Sequence, residues 1–378
     1  MIAYNKEWLY SRHVLAQADE ALHEQCIDQV TFNAISEKHP VKFYTPNFFI
    51  RIGLAILTAI ILLFIAVLFL LAANFKSAGG VGVFIGILSI AVAEMFIHSK
   101  NHYNSGLDNM LVWAGGYSLW MGLMAILYEG YSHHDVLLGF IGVIIFLVLA
   151  VRYVDTICAI VATLFFLFFV YTAYKHFGTG WPMATIPFVM ILVMGVLYFV
   201  SKRAMRSPGM LLFHNCWLWV SYVALVCFYA AGNYVVVDYF RDSLKTTPDI
   251  SIRGPLLFGW FFWSWTFLIP VIYIVIGISK KEITLIRIGL PLLVIGILTF
   301  RNYHHVMEPE TALMIGGTIL FVISYSLISY LREPHGGFTF KPDTFNKEIP
   351  DMTKIIAAKL VGDVAPIDNK PQANNDWE

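Results

Sequence analysis

The sequence predicts an all-α fold: a polytopic transmembrane helical bundle of about ten spans, with a small N-terminal helical hairpin and a flexible C-terminal tail. Of the 378 residues, 58% are apolar and only 13% are charged, whereas soluble domains average roughly 45–50% and 25%. The apolar residues are also gathered in long runs, each near the roughly 20 residues that a helix needs to cross a bilayer. These two observations exclude a soluble enzyme, a disordered chain and a nucleic-acid binder.

Residues 1–48 are predicted to form a cytosolic helical hairpin and linker. Apolar residues recur at helical spacing over about 5–24, and Asp28 is a suitable N-cap for a second, short helix. Prolines at 40 and 46 then indicate an extended linker. A hairpin of this size buries little core of its own, so we expect it to dock on the membrane domain, on a protein partner or on a second copy of the chain.

Residues 49–331 are predicted to form the transmembrane domain, with the lipid bilayer as its surroundings. Since backbone groups in lipid must be satisfied internally, the runs are helices rather than strands. We place the break between the fourth and fifth spans at Arg152-Tyr153, and counts from nine to eleven are compatible with the pattern. The predicted spans cover 52–74, 80–98, 108–128, 136–151, 154–174, 182–201, 211–231, 256–278, 284–300 and 311–331.

The distribution of Lys and Arg predicts a chain with both termini inside. With the N-terminus inside, the inner segments before the tail carry thirteen of these residues and the outer loops carry six, as the positive-inside rule expects. Residues 332–378 form a polar tail with five prolines, predicted to be cytosolic, mostly disordered and available to a partner.

Several polar side chains near the inner ends of the spans are candidates for chemistry, because ionisable groups in lipid are costly. Glu94 and His98 share one face of the second span, and the other candidates begin later spans. Together they can line an inward-facing vestibule. The alternative is that Asp and Asn simply cap helix starts, with Arg152 and Asp155 as an interfacial ion pair. The candidate set is Glu94, His98, Asp108, Asn109, Asp155, His214 and Asn215.

Two predicted outer loops carry imidazole and carboxylate groups that suit a transition metal if the loops meet. The alternative is that they are ordinary polar loops at the membrane interface. The residues concerned are His133, His134, Asp135, His304, His305 and Glu308.

Motifs for nucleotide, hydrolase or zinc-protease chemistry are not found, and no two of the four cysteines form a CxxC pair. We therefore predict no cofactor. Glycines at 79, 80, 82, 86, 115 and 116 indicate close contact between helices rather than chemistry.

Two features carry a resemblance to known sequences. One is the N-terminal hairpin with its Trp8-Leu9 pair, followed by a proline-rich entry to short-looped spans. The other is the segment over 302–340, which reads NYHHVMEPETALMIGGTILFVISYSLISYLREPHGGFTF. The chain resembles multi-pass predicted membrane proteins of Bacteroidota whose function is unknown. The resemblance implies a bacterial inner-membrane location and supplies no substrate or site residue.

Three functional hypotheses follow. The first is a non-enzymatic protein with an accessory, sensory or scaffolding role. The second is a secondary transporter or small-molecule permease that uses Glu94, His98 and Asp155. The third is a metal-dependent membrane enzyme that uses the outer histidines.

Overall fold

The computed structural model describes residues 2–23, 26–73, 77–127, 134–176, 181–243, 256, 258–304 and 309–330. Over these residues the chain is helical with no strand, apart from one isolated backbone bridge between Tyr44 and His102. The predicted all-α fold is confirmed. The predicted tail, 332–378, lies outside the described residues.

Two amphipathic helices precede the apolar spans and pack against each other: α1 (Lys6–His23) and α2 (Gln29–Lys38). They occupy the two segments in which the sequence predicts helices. Asp28 is the N-cap of α2, and its carboxylate accepts a hydrogen bond from the Thr31 N–H. This contact satisfies a backbone donor that the first helical turn leaves open.

In the described part of the chain, nine helices are long and apolar enough to cross a membrane. They are α3 (Phe48–Ala72), α4 (Ala78–Lys100), α5 (Leu107–Leu127), α6 (His134–Tyr153), α7 (Thr156–His176), α8 (Trp181–Met205), α9 (His214–Gly232), α11 (Gly259–Ser279) and α12 (Ile283–His304). A tenth helix, α13 (Pro309–Tyr330), follows α12 and occupies the tenth predicted span. Its apolar part is shorter and runs over Met314–Ser326.

Two connections differ from the predicted ones. The break between the fourth and fifth spans lies at Val154-Asp155, two residues later than predicted, because Val154 takes a left-handed conformation with φ of 49°. The predicted outer loop over 232–255 contains a further amphipathic helix, α10 (Tyr234–Ser243). With ten residues, α10 is about half the length that a helix needs to cross a bilayer, so the sequence did not predict it as a span.

Neighbouring helices pack in antiparallel pairs: α4 with α5, α6 with α7, α8 with α9, and α11 with α12. Contacts of α5 with α6, and of α9 with α7, α11 and α12, join these pairs into one bundle. In contrast, α3 packs mainly along α5 and α4 and buries one of its described residues, Thr58. Most of α3 therefore faces the surroundings of the bundle, which for such an apolar helix means lipid.

Glycines bring α4 and α5 together, as the sequence predicts. A Cβ atom at Gly82 would lie 2.9 Å from the Cα of Gly122, and one at Gly86 would lie 2.7 Å from the backbone nitrogen of Leu119. Such close approach increases van der Waals contact, which drives helix association in lipid. Gly116 serves a different pair, because it faces Leu149 on α6.

Candidate functional site

The N-terminal segment is inserted into the end of the bundle where α4 meets α5 and α6 meets α7. The Ala3 N–H donates to the backbone carbonyl of Arg152 at 2.8 Å, and the Tyr4 hydroxyl donates to Asp108 at 3.1 Å. Ala3 and Tyr4 are each only 7% exposed and belong to the same apolar core as helix residues such as Val112. We call Ala3, Tyr4, Asp108 and the Arg152 carbonyl the docking site.

Asp108 is the centre of the docking site and is completely buried. Its Oδ1 accepts from the Ser105 N–H at 2.8 Å and the Ser105 hydroxyl at 3.0 Å. Its Oδ2 accepts from the Asn104 N–H at 2.8 Å and from Tyr4. Four hydrogen bonds therefore satisfy both oxygens of this buried carboxyl group. Burial and the neighbouring Asp108 raise the pKa of Tyr4 far above its ordinary value, so this hydroxyl keeps its proton.

The turn before α5 explains how these donors reach Asp108. Asn101, Asn104 and Gly106 all have positive φ, of 52°, 51° and 91°, which Asn and Gly tolerate best. A side chain at Gly106 would collide with the Arg51 carbonyl at the start of α3. Only glycine therefore fits where this turn crosses α3.

Aromatic rings fill the space beside the docking site. The Tyr103 ring lies 4.8 Å from the rings of Tyr4 and Phe43, and the Arg12 guanidinium of α1 lies 4.5 Å from its centre. Burial raises the pKa of Tyr103, and the Arg12 charge opposes that rise. The stack therefore ties α1 and the 40–47 linker to the connection between α4 and α5.

Glu94 is held at the edge of the same end of the bundle. Its Oε1 accepts from the Arg152 Nε at 2.5 Å and from the Tyr153 hydroxyl at 2.6 Å, and its Oε2 lies 3.2 Å from His98 Nε2. The predicted Glu94–His98 contact is present. The predicted Arg152–Asp155 ion pair is wrong, because the last turn of α6 directs Arg152 towards α4 instead.

Asp155 has a capping role. Its Oδ1 accepts from the Cys158 N–H at 2.7 Å, in the first turn of α7, and from the Trp113 indole N–H at 3.0 Å. The first bond satisfies a helix-end donor, and the second joins α7 to α5.

The remaining three candidates are spread around these groups. Asn109 donates to the Asn104 side chain at 2.7 Å, His214 is half-buried near His13 of α1, and Asn215 is exposed. The structure thus brings the seven candidates to one end of the bundle but not to one vestibule. The space between them is occupied by Tyr4 and its aromatic neighbours. The sequence did not indicate this role for Tyr4, because a tyrosine in a polar N-terminal segment is common.

Among the described residues, two of the cavities open at this end, and none of the seven candidates lines either of them. The first, of about 560 Å³, lies between α1 and a short 3-10 helix (Pro208–Phe213) that joins α8 to α9. The second, of about 600 Å³, lies between the end of α8 and the turn from α11 to α12.

The predicted metal ligands fall largely outside the described residues. This holds for His133, His305 and Glu308, and for the side chains of His134 and His304. Asp135 is described and is exposed. Within the part of the chain that the structure describes, no three His, Cys, Asp or Glu side chains come together to hold a metal ion.

At the opposite end, the structure shows a buried amide that the sequence did not single out. Asn233, 2% exposed, donates to the Tyr229 hydroxyl at 3.1 Å and to the Thr299 hydroxyl at 3.2 Å. Its Oδ1 accepts from the Val235 N–H at 3.0 Å, so it also caps α10. The amide therefore joins α9, α10 and α12. The available signal was its position just after a predicted span, where an Asn often begins the next element.

These observations define a class: the chain is a multi-pass α-helical integral membrane protein. Comparisons with protein-family models, with curated proteins and with solved structures each return no match.

Proposed function

We propose that this protein is an accessory scaffold of the membrane, which holds the α1–α2 pair in a fixed orientation at one membrane face for a protein partner. The observation that carries the proposal is the docking site. Ala3 and Tyr4 bind the ends of α5 and α6 through buried hydrogen bonds. A pair of helices attached in this way is displayed rigidly instead of on a tether.

The α2 helix supplies the surface for such a partner. None of its residues is buried, and Val30 is 74% exposed. It packs on α1 and leaves its other faces open to the water phase. An exposed apolar residue on a small, fixed polar helix suits a protein contact of modest area.

The polar candidates support this function better than transport. Glu94 and Asp155 accept hydrogen bonds from side chains of another helix, and Asp108 accepts one from the N-terminal segment. A transported ligand would have to replace these bonds. Metal-dependent catalysis, the third hypothesis, has no supporting observation among the described residues.

We propose a bacterial inner membrane as the location, with both chain termini inside. Basic residues near the α1 end support this, since Lys100, Arg152 and Lys202 all lie there. The resemblance to Bacteroidota membrane proteins supports the bacterial source.

Site-specific photocrosslinking in cells tests the scaffold. A photoreactive residue at Val30 is expected to give a discrete protein adduct, and the same residue at lipid-exposed Met121 is expected to give none. The Val30 adduct should weaken when Asp108→Asn loosens the docking site, at equal amounts of membrane-inserted protein. An adduct that is absent, or that is unchanged by Asp108→Asn, contradicts a rigidly displayed partner surface.

A flux assay tests the transporter. In reconstituted vesicles, transport would give proton-coupled uptake that Glu94→Gln abolishes while the fold is retained. Under the scaffold proposal, wild-type and Glu94→Gln vesicles are equally impermeable. Uptake that depends on Glu94 would overturn the proposal.

A further inference from the structure

The second cavity at the α1 end of the bundle is strongly basic. It lies where the last turn of α8 meets the turn between α11 and α12, and has a volume of about 600 Å³. We call it the basic pocket. Its lining residues are Tyr198, Phe199, Lys202, Arg203, Arg206, Ser207, Lys280 and Glu282.

Charge in the basic pocket is unbalanced, because four cationic side chains face one carboxylate. Lys202 Nζ lies 3.0 Å from Glu282 Oε2, and this ion pair fixes α8 to the α11–α12 turn. Arg203, Arg206 and Lys280 provide the excess positive charge and are all exposed. Like charges that line one cavity repel one another, and an anion bound in that cavity relieves the repulsion.

Cations at helix C-termini and at the inner ends of spans have ordinary explanations, namely the helix dipole and the positive-inside rule. Those explanations account for each residue alone. They do not account for cations from two separate parts of the chain, the end of α8 and the turn after α11, lining one cavity. That convergence is a property of the tertiary structure.

An apolar surface adjoins the charges. Phe199 lines the basic pocket and is 72% exposed on the lipid-facing side of α8. It lies four residues before Arg203 and so occupies the same helix face. A ligand that fits both parts carries a phosphate next to a hydrocarbon chain.

We propose that the basic pocket binds the phosphate headgroup of an anionic phospholipid, whose acyl chain lies against Phe199. Basic pockets between transmembrane helices are suited to such headgroups. Arg203 and Arg206 present planar guanidinium groups that match phosphate oxygens, and Lys202 and Lys280 add point charges. A soluble phosphate compound offers the same phosphate group but has no hydrocarbon chain to contact Phe199.

Lipid binding to the full-length protein in detergent micelles tests the proposal. Thermal unfolding and native mass spectrometry are compared with phosphatidylglycerol, with phosphatidylcholine and with inorganic phosphate. We expect phosphatidylglycerol to raise the unfolding temperature and to remain bound, and the other two to do neither. The test variant is Arg203→Gln with Arg206→Gln. The matched control is Lys100→Gln, which removes an exposed cation at the same end outside the pocket.

The double variant is expected to bind phosphatidylglycerol about 30-fold more weakly, since each basic side chain near an anionic surface contributes about fivefold. Lys280→Gln, in the turn after α11, should weaken binding about fivefold, and Lys100→Gln should leave it unchanged. Equal loss in Lys100→Gln would show general surface attraction and overturn the site. A stabilisation by inorganic phosphate that needs Arg203 and Arg206 would overturn the lipid as its ligand.

Discussion

Removing the hydroxyl of Tyr4 is the most direct test of how the N-terminal segment is held. Replacing Tyr4 by Phe keeps the ring, which packs 4.8 Å from Tyr103, and removes only the 3.1 Å hydrogen bond to Asp108. The change therefore separates the polar contribution to docking from the apolar one. We expect α1 to detach more often, while the membrane domain keeps its fold.

The magnitude follows from the surroundings of Asp108. A hydrogen bond to a charged group contributes roughly 1.5–3 kcal/mol. Three donors, from Asn104 and Ser105, stay in place after the change, so the carboxylate is still satisfied and the lower figure applies. A loss of about 1.5 kcal/mol corresponds to about a tenfold larger population of the detached state.

The substitution Asp108→Asn is expected to cost more. Both carboxylate oxygens accept bonds from donors, so either orientation of an amide places its NH₂ group against another donor. The result is a buried, unsatisfied pair and two lost hydrogen bonds, about 3 kcal/mol or more.

Hydrogen–deuterium exchange measures both effects, because the Ala3 N–H is protected by its bond to the Arg152 carbonyl. Peptides covering the start of α1 should exchange about tenfold faster in Tyr4→Phe, and faster still in Asp108→Asn. The matched control is Tyr10→Phe, the same change at an exposed ring on α1. Unchanged exchange in Tyr4→Phe, or an equal rise in Tyr10→Phe, would refute the role assigned to the Tyr4–Asp108 bond.

Three further predictions concern topology, packing and pH. Cys26 is the exposed cysteine of the chain, so a membrane-impermeant maleimide should label it in inverted vesicles and not in right-side-out ones. Gly86→Leu should lower stability by about 1–3 kcal/mol through overpacking, because a Cβ there already meets the Leu119 backbone. Gly53→Leu should have no such effect in thermal unfolding, since nothing lies within 4 Å of its Cβ position. Burial lowers the pKa of His13 below its ordinary 6.5, so stability is fully present above that pH and falls as the pH drops through the lowered pKa.

Each of these has a clear contrary result. Labelling of Cys26 in right-side-out vesicles would reverse the proposed orientation, and Cys26→Ser confirms that the label reports this thiol. Equal destabilisation by Gly53→Leu and Gly86→Leu would show a general effect of leucine. For His13, thermal unfolding is compared at about pH 7.5 and about pH 5.5, and His13→Gln should reduce the difference. An undiminished difference would assign the pH dependence to other groups.

The helices were predictable because their signals are local. Each long run of apolar residues predicts its own helix, and Asp28 predicts a cap from its position alone. The break between the fourth and fifth spans was displaced by two residues because Val154, a residue that rarely takes positive φ, does so here. The ordinary backbone preference of valine is for negative φ, so the sequence did not predict this conformation.

The partners of the polar residues were not predictable in the same way. Glu94 and His98 lie one helical turn apart, and their contact follows from helix geometry. Arg152 could form an ion pair with Asp155, three residues later, or with Glu94 on another helix. The packing of α6 against the other helices places it beside Glu94. The hydrogen bond from Tyr4 to Asp108 joins residues that are 104 positions apart in the sequence.

The sequence by itself determined a multi-pass helical membrane protein, since hydropathy and helical periodicity act over one span at a time. One prediction from the sequence was an open vestibule among the polar helix ends. Only the tertiary structure decided that Tyr4 fills this space instead. It also decided that cations from the end of α8 and from the turn after α11 share one pocket. Both results depend on which helix ends become neighbours, and that is set by side-chain packing between spans.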